Sequence, residues 1–402
     1  MEKGSSTDAT PTTLASIAEA IELTASVGLV YVSDREAGIR RVKRGQRFAY
    51  LGTDDRTLRD AKTLQRIAGL AIPPAYERVW ICGKDRGHLQ ATGYDARGRK
   101  QYRYHPDWRQ ARDGEKFERM IAFGEALPKL RRRLSRDVAL PGLPRDKILA
   151  VVISLLDATR IRIGNAEYAR DNASFGLTTL KNRHVRFITD GRARFTFKGK
   201  GGLEHDVTID DKRLSRIVKR CQHLPGQQLF QYLDDDGNRH PITSDQVNAY
   251  LQDAMGEDFT AKDFRTWSAT LSAIALMAAT PLPDAVDGRP SEKAFKTAIV
   301  AAIKAVAEEL RNTPTVARKS YINPVVFTAW RSGSLHKAVE GNLKHAPRKA
   351  EKFALAFLRK EATLARKAEV SSIQPGRVRR PRAANAASKP RPKSATVAGS
   401  GT

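Results

Sequence analysis

The spacing of apolar and polar positions changes period along the chain, and those changes divide it. After a Ser/Thr-rich opening, Leu14 to Ser26 carries a helical repeat. From Gly28 the apolar residues come in short β-like runs, Leu29 to Ser33, Ile39 to Val42 and Phe48 to Leu51, separated by Gly and Asp turn signals. A helical insert over Thr57 to Leu70 precedes two more strands, Glu77 to Cys82 and His88 to Gly93. His88 to His105 reads as a hairpin turning at Asp95 to Gly98, with Tyr102 and Tyr104 on one face of the second arm and Arg103 on the other.

From roughly Lys116 to Lys367 the period is mostly helical. Asp146 to Thr159 sets Ile148, Val151, Val152, Leu155 and Leu156 on one stripe, and Arg162 follows at the edge of that core element. A short polar sheet is expected next: Gly176 to Leu180, then strands Val185 to Thr189 and Ala193 to Phe197, the last running into Lys198-Gly199-Lys200-Gly201-Gly202. Thr260 and Asp263 form a capping box for a helix reaching Ala279, with Phe264, Trp267, Leu271 and Ile274 inward and Arg265 off that stripe. Lys293 to Leu310 is a further core helix. Thr313-Pro314 then opens a short helix, closed by Asn323-Pro324, that presents Tyr321 beside Arg318 and Lys319.

The pattern predicts an α+β chain of a small β-rich N-terminal domain and a larger, mainly α-helical one. The expected boundaries are a tail over 1–27, the sheet domain over 28–110, the helical domain over 111–367 and a disordered tail over 368–402 rich in Arg and Lys. Charge narrows the function. A net +27 exceeds what solubility requires and points to a polyanion, with nucleic acid favoured over a membrane surface. Leu271 to Ala279 is the most apolar run and is broken by Thr280-Pro281, so no membrane span is expected. The polar N-terminus lacks a signal-peptide core, and Cys82 and Cys221 show no CxxC spacing, which together predict a cytoplasmic protein without disulfides. The eight histidines never pair with Cys or carboxylates at metal-ligand spacing, and no Walker loop is present, so neither metal nor nucleotide cofactor is expected.

Within that frame the hairpin offers Gln90, Tyr94, Arg97, Arg99, Lys100, Tyr102 and Arg103 to phosphates or base edges of a duplex groove, or else a solvated basic ribbon whose tyrosines cover the sheet. A phenol titrates near 10, so Tyr321 becomes a nucleophile only where cations stabilise its developing charge.

Several stretches, in order, resemble the type IB DNA topoisomerases in their compact poxvirus-like form found in bacteria: Ile161 to Gly164 with Tyr168, Gly176 to His184, Phe197 to Lys200, Lys262 to Thr266 and Ser320-Tyr321. The hairpin at Gln90 to His105 resembles that family's N-terminal domain. The resemblance implies a monomeric, nucleoid-associated enzyme that nicks duplex DNA, holds the 3′ phosphate on tyrosine, lets the free end swivel and reseals. Tyr321 would attack, Arg162 and Arg265 clamp the phosphate, Lys200 act as general acid with Lys262 assisting, and Tyr168 contact DNA. Where viral and eukaryotic members carry histidine this chain has Asn312, which either donates to a phosphate oxygen or caps the preceding helix in the left-handed conformation. Two other readings share these features: a tyrosine recombinase, which usually has His-x-x-Arg where Lys262 and Arg265 stand, and a noncatalytic architectural DNA-binding protein.

Overall fold

The computed structural model describes residues 14–96, 98–188, 190–286, 289–339 and 347–373; Arg97, the start of the N-terminal tail and the basic stretch beyond residue 373 lie outside them. Helix α1 (Leu14–Ser26) leads to a five-stranded antiparallel sheet built from β1 (Ile39–Arg44), β2 (Arg47–Leu51), β3 (Glu77–Ile81), β4 (Leu89–Tyr94) and β5 (Lys100–Tyr104) in the order β2-β1-β3-β4-β5. One face of the sheet packs on α2 (Ala61–Gly69), where Ile67 meets Ile39, Val79, Ile81 and Ala91. The expected strand at Leu29 to Ser33 reduces to one bridge between Val30 and Gly87, because the amide of Val32 donates to His88 Nδ1 (3.1 Å) instead of to a neighbouring strand.

Helix α3 (Pro106–Asp137) starts with proline at its first position and the His105 ring accepting from Asp107 N. It runs without a break through residue 110, where a domain boundary was expected, so the sheet and the helical layer share a continuous element. Both lie in one compact unit ending at Leu358; residues from Arg359 form a second. Helix α4 (Arg145–Thr159) is the hub of the first unit. Its sequence predicts one apolar stripe, yet Ala150 and Ile153 are buried as completely as Val151 and Leu155, because elements pack on it from several sides.

Beyond α5 (Ala166–Asn172) the chain forms a 3-10 turn at Leu177–Thr179 where a strand was expected. The amides of Leu177 and Thr178 donate to the carbonyls of Arg162 and Ile163, and Thr179 Oγ1 accepts from Gly176 N, so these groups are tied up in a local clasp. A three-stranded antiparallel sheet follows, β6 (Val185–Phe187), β7 (Ala193–Lys198) and β8 (Glu204–Ile209), with β7 central. The remaining helices are α6 (Lys212–Gln222), α7 (Ser244–Met255), α8 (Ala261–Ala279), α9 (Glu292–Glu309), α10 (Pro314–Ser320), α11 (Val325–Arg331), α12 (Ser334–Ala338) and α13 (Pro347–Ile373). The capping box of α8 forms as its sequence requires, with Thr260 N donating to Asp263 Oδ2 at 2.8 Å.

Helices α3 and α8 approach closely at Gly124, where an added Cβ would stand 2.5 Å from the Trp267 ring, itself 3% exposed. Gly124→Val should therefore destabilise the protein by about 1–3 kcal/mol, the usual range for an overpacked core, read as a lower denaturant midpoint at unchanged slope.

Candidate active site

Helix α4 ends with Arg160 in the left-handed conformation, φ 59°, which turns the chain out of the core and sends Arg162 into a cleft. The backbone there is held against Gly176, where a Cβ would lie 2.5 Å from both Arg162 O and Gly164 N. Only glycine permits that approach, so Gly176 sets the position of Arg162. Arg162 Nη2 donates to Asn312 Oδ1.

Asn312 follows α9, and the left-handed residue that ends this helix is Arg311 (φ 49°), not Asn312. The helix-cap alternative for Asn312 thus falls to its neighbour. Because Arg162 can only donate, the amide atom facing it is the oxygen, which leaves Nδ2 as a free donor. Asn312 Nδ2, Arg162 Nη1 and Arg265 Nε are buried and find no acceptor among the described residues. Buried donors are nearly always paired, so three together mark a place for an anion.

Arg265 departs from the sequence expectation. It lies off the apolar stripe yet is 3% exposed, since its guanidinium fills the space where two helices end: Nη1 donates to Arg160 O and Nη2 to Leu310 O (2.7 Å). Burial, reinforced by Arg162, pushes its pKa down to about 10, and the group remains cationic at neutral pH. Its carbon sits 5.2 Å from the centroid of the Tyr321 ring.

Tyr321 closes α10, whose N-cap Thr313 accepts from Val316 N as proline at the first position anticipates. Thr270 Oγ1, fully buried on α8, donates to Tyr321 O (3.2 Å) and accepts from Asn323 N (3.1 Å), fixing the turn that carries the phenol. Sequence reasoning missed this threonine; its signal was a small polar residue inside an apolar helix. Burial by itself would raise the phenol's pKa. The Arg265 charge, with Arg162 and Lys262 behind it, outweighs burial and holds Tyr321 below its ordinary value. Arg318 and Lys319, expected beside the phenol, are exposed and stand outside the cleft lining, because the helix turns their side chains to solvent.

A cleft of about 980 Å³ is lined by Tyr321, Arg162, Arg265, Lys262 and Lys200 together with Tyr168 and, from the N-terminal sheet, Tyr94, Arg99, Lys100 and Tyr102. Lys200 is exposed at the β7–β8 tip, its Nζ 5.8 Å from the centroid of the Tyr168 ring. Arg99 pairs with Asp95 (2.7 Å) and Lys100 with Asp34 (2.6 Å), so part of their charge is already met. Arg103 lies on the other face of the arm and reaches Ala71 O (3.5 Å). Gln90 is a correction: it is 2% exposed, Oε1 accepts from Arg66 (2.6 Å) and Nε2 donates to Gly87 O (2.7 Å), so its amide organises the β3–β4 turn and does not face the cleft. Arg97 lies outside the described residues. Among the described residues no group of His, Cys, Asp or Glu could hold a metal ion, and no helix is long and apolar enough to cross a membrane.

Comparison with known proteins decides the family. A family model described as eukaryotic DNA topoisomerase I, catalytic core, matches residues 105–333, and one described as bacterial DNA topoisomerase IB, N-terminal domain, matches residues 47–95. DNA topoisomerase 1B of Acanthamoeba polyphaga mimivirus is 35% identical over 290 residues, 71% of this chain and 85% of the viral protein. The chain belongs to the type IB DNA topoisomerase family. DNA topoisomerase 1B of vaccinia virus (strain Copenhagen) is 22% identical over 258 residues, 63% of this chain and 75% of its own. DNA topoisomerase 1 beta of Arabidopsis thaliana is 26% identical over 161 residues, 40% of this chain and 17% of its own. This chain is therefore a DNA topoisomerase, with DNA as its substrate. The catalytic-core match of the topoisomerase spans Arg162, Lys200, Lys262, Arg265, Asn312 and Tyr321.

Two outcomes are expected. In NMR titration of carbon-labelled tyrosine, one phenol should titrate below the ordinary value, disappear in Tyr321→Phe and move up in Arg162→Ala; a Tyr321 resonance at the ordinary value would contradict the electrostatics. Gly176→Ala should displace Arg162 and slow DNA cleavage by up to about 100-fold, the scale of a 1 Å misplacement, while gel-shift affinity for duplex DNA changes little.

Proposed function

We propose that this topoisomerase relaxes supercoiled duplex DNA through two transesterifications at Tyr321, without nucleotide or metal. The three buried donors beside the phenol that find no partner among the described residues carry the reading, since a phosphodiester's two nonbridging oxygens, each able to accept more than one hydrogen bond, can pair them. Tyr321 Oη forms a bond to phosphorus as the bond to the 5′ oxygen breaks. The phenol's proton leaves to solvent, a loss favoured by its lowered pKa.

Arg162 and Arg265 oppose the charge gathering on the nonbridging oxygens, and Asn312 adds a neutral donor. The departing 5′ oxygen takes a proton from Lys200, which stands on a glycine-flanked tip at the cleft edge, with Lys262 assisting. Resealing reverses each step: the 5′ hydroxyl returns its proton, attacks phosphorus and releases the phenol. The energy of the broken ester is kept in the phosphotyrosine, so no nucleotide is consumed. Tyr94, Arg99, Lys100, Tyr102 and Tyr168 line the same cleft and would contact the flanking duplex. All of these groups come from one chain, which supports a monomer, and the bacterial N-terminal-domain match supports action on a bacterial nucleoid.

The deciding measurement is relaxation of a random supercoiled plasmid in EDTA without ATP. Relaxation supports the reading, whereas a requirement for ATP or for a divalent metal would overturn it. Tyr321→Phe should bind DNA normally and form no covalent adduct on denaturing gels; adduct from the variant would remove Tyr321 from the mechanism. Lys200→Ala should slow cleavage by about 10²–10⁴-fold, the range of general acid catalysis, and a 5′-thio leaving group should restore the rate.

A further inference from the structure

We propose that His205 is a positioning residue for Lys200, acting through Gly199. The inference rests on the reading of Lys200 as the proton donor and names what holds that lysine at the cleft.

Lys200 sits at a tip whose backbone is closed by Gly199 N donating to Leu203 O (2.8 Å) and Gly202 N donating to Gly199 O (3.0 Å), while its side chain has little to fix it. Gly201 and Gly202 both take positive φ, and a Cβ on either would meet nothing within 4 Å. The lysine's ammonium meets the Tyr168 ring at 5.8 Å, a weak restraint. Below the tip the picture changes. His205, on β8 opposite Phe197 of β7, is 3% exposed and its ring stacks on Phe197 with centroids 4.7 Å apart and planes 7° apart.

Tilted ring contacts continue from there. Phe197 meets His184 at 6.3 Å, and His184 meets Phe175 at 4.5 Å. Phe175 N in turn donates to Lys198 O (2.7 Å), returning to the hairpin beside its tip. The upper end of the column is His205 itself. Its Nε2 would lie 2.5 Å, and its Cδ2 2.6 Å, from a Cβ on Gly199, the residue immediately before Lys200.

Gly199 has an ordinary φ of −93°, so backbone conformation does not demand glycine there. The imidazole does, because it occupies the place of a side chain. A rigid ring thus bears directly on the residue that sets where Lys200 starts. Burial, with Arg162, Arg265 and Arg311 nearby, pushes the His205 pKa down to about 4. The ring is therefore neutral at working pH and brings no further cation to a crowded site.

The test uses single-turnover cleavage of two duplex substrates by the full-length protein, one with an ordinary 5′ oxygen and one with a 5′-thio leaving group that needs no acid. His205→Ala removes the prop; Gly199→Ala drives a methyl into it from the other side. Each should slow cleavage of the ordinary substrate by about 10–100-fold, as expected for a displaced catalytic group, and each should cleave the thio substrate at the wild-type rate.

Equal slowing on both substrates would mean general disruption and overturn the inference, as would wild-type rates on the ordinary one. Should His205→Ala fail to fold, Gly199→Ala decides by the same criterion. Lys200→Ala, run alongside, separates the two claims. If it is not rescued by the thio substrate, the proton-donor reading fails and the inference with it; if it is rescued and the other two variants are not, only the His205 inference fails.

Discussion

A buried guanidinium organises the centre of this protein. A charge away from water needs partners, and Arg265 takes them from the carbonyl ends of α4 and α9, where helix dipoles add negative potential. Satisfying one side chain therefore draws two helix termini onto a third helix. Arg160 and Arg311 accept left-handed conformations at those termini, which lets each chain leave its helix abruptly and return toward the cleft. Arg162 and Asn312 follow within two residues, and their mutual hydrogen bond joins the two exits. The geometry of the candidate site is in this sense a by-product of how one cation is housed.

The same arrangement concentrates positive charge. Arg160 is answered by Glu309, which also accepts from Ser272, but Arg162 and Arg265 lie in one another's fields and both act on the phenol. Tyr321 gains acidity from that imbalance. A carboxylate placed here would relax the repulsion and compete with the substrate for the same donors. Among the described residues the carboxylates that line the cleft are Glu167 and Asp171, both on α5 with Tyr168.

Much of this was legible in the sequence, and what was not has definite causes. Helix limits follow from local chemistry, so the Thr313-Pro314 start of α10 and the Thr260–Asp263 box of α8 appear where the residues place them. The family is borne out by the comparisons, and the α+β division into a small sheet and a larger helical layer is what the structure contains. Periodicity misled where a polar side chain is buried for a tertiary reason. Arg265 sits off the apolar stripe yet lies inside because two distant carbonyls await it, and Gln90 sits on a basic ribbon yet turns inward to hold a loop. The carbonyls that hold Arg265 lie 105 and 45 residues away, and although Gly87 is only three residues from Gln90, the Arg66 that fixes the other end of its amide is 24 away. The clasp at Gly176 escaped for the same reason: a strand-like run became a 3-10 turn because its amides bond to residues 162 and 163.

The unpaired donors around Tyr321 bear on the thermodynamics of the free enzyme. Each buried polar group without a partner costs about 1–3 kcal/mol, and here Arg162, Arg265 and Asn312 contribute such groups at one spot. On the proposed reaction path a phosphate held at Tyr321 would supply the acceptors that these donors lack among the described residues. A bound DNA phosphate that pairs with them would favour the folded state by mass action, so the donors the polypeptide leaves open couple DNA binding to the stability of the fold.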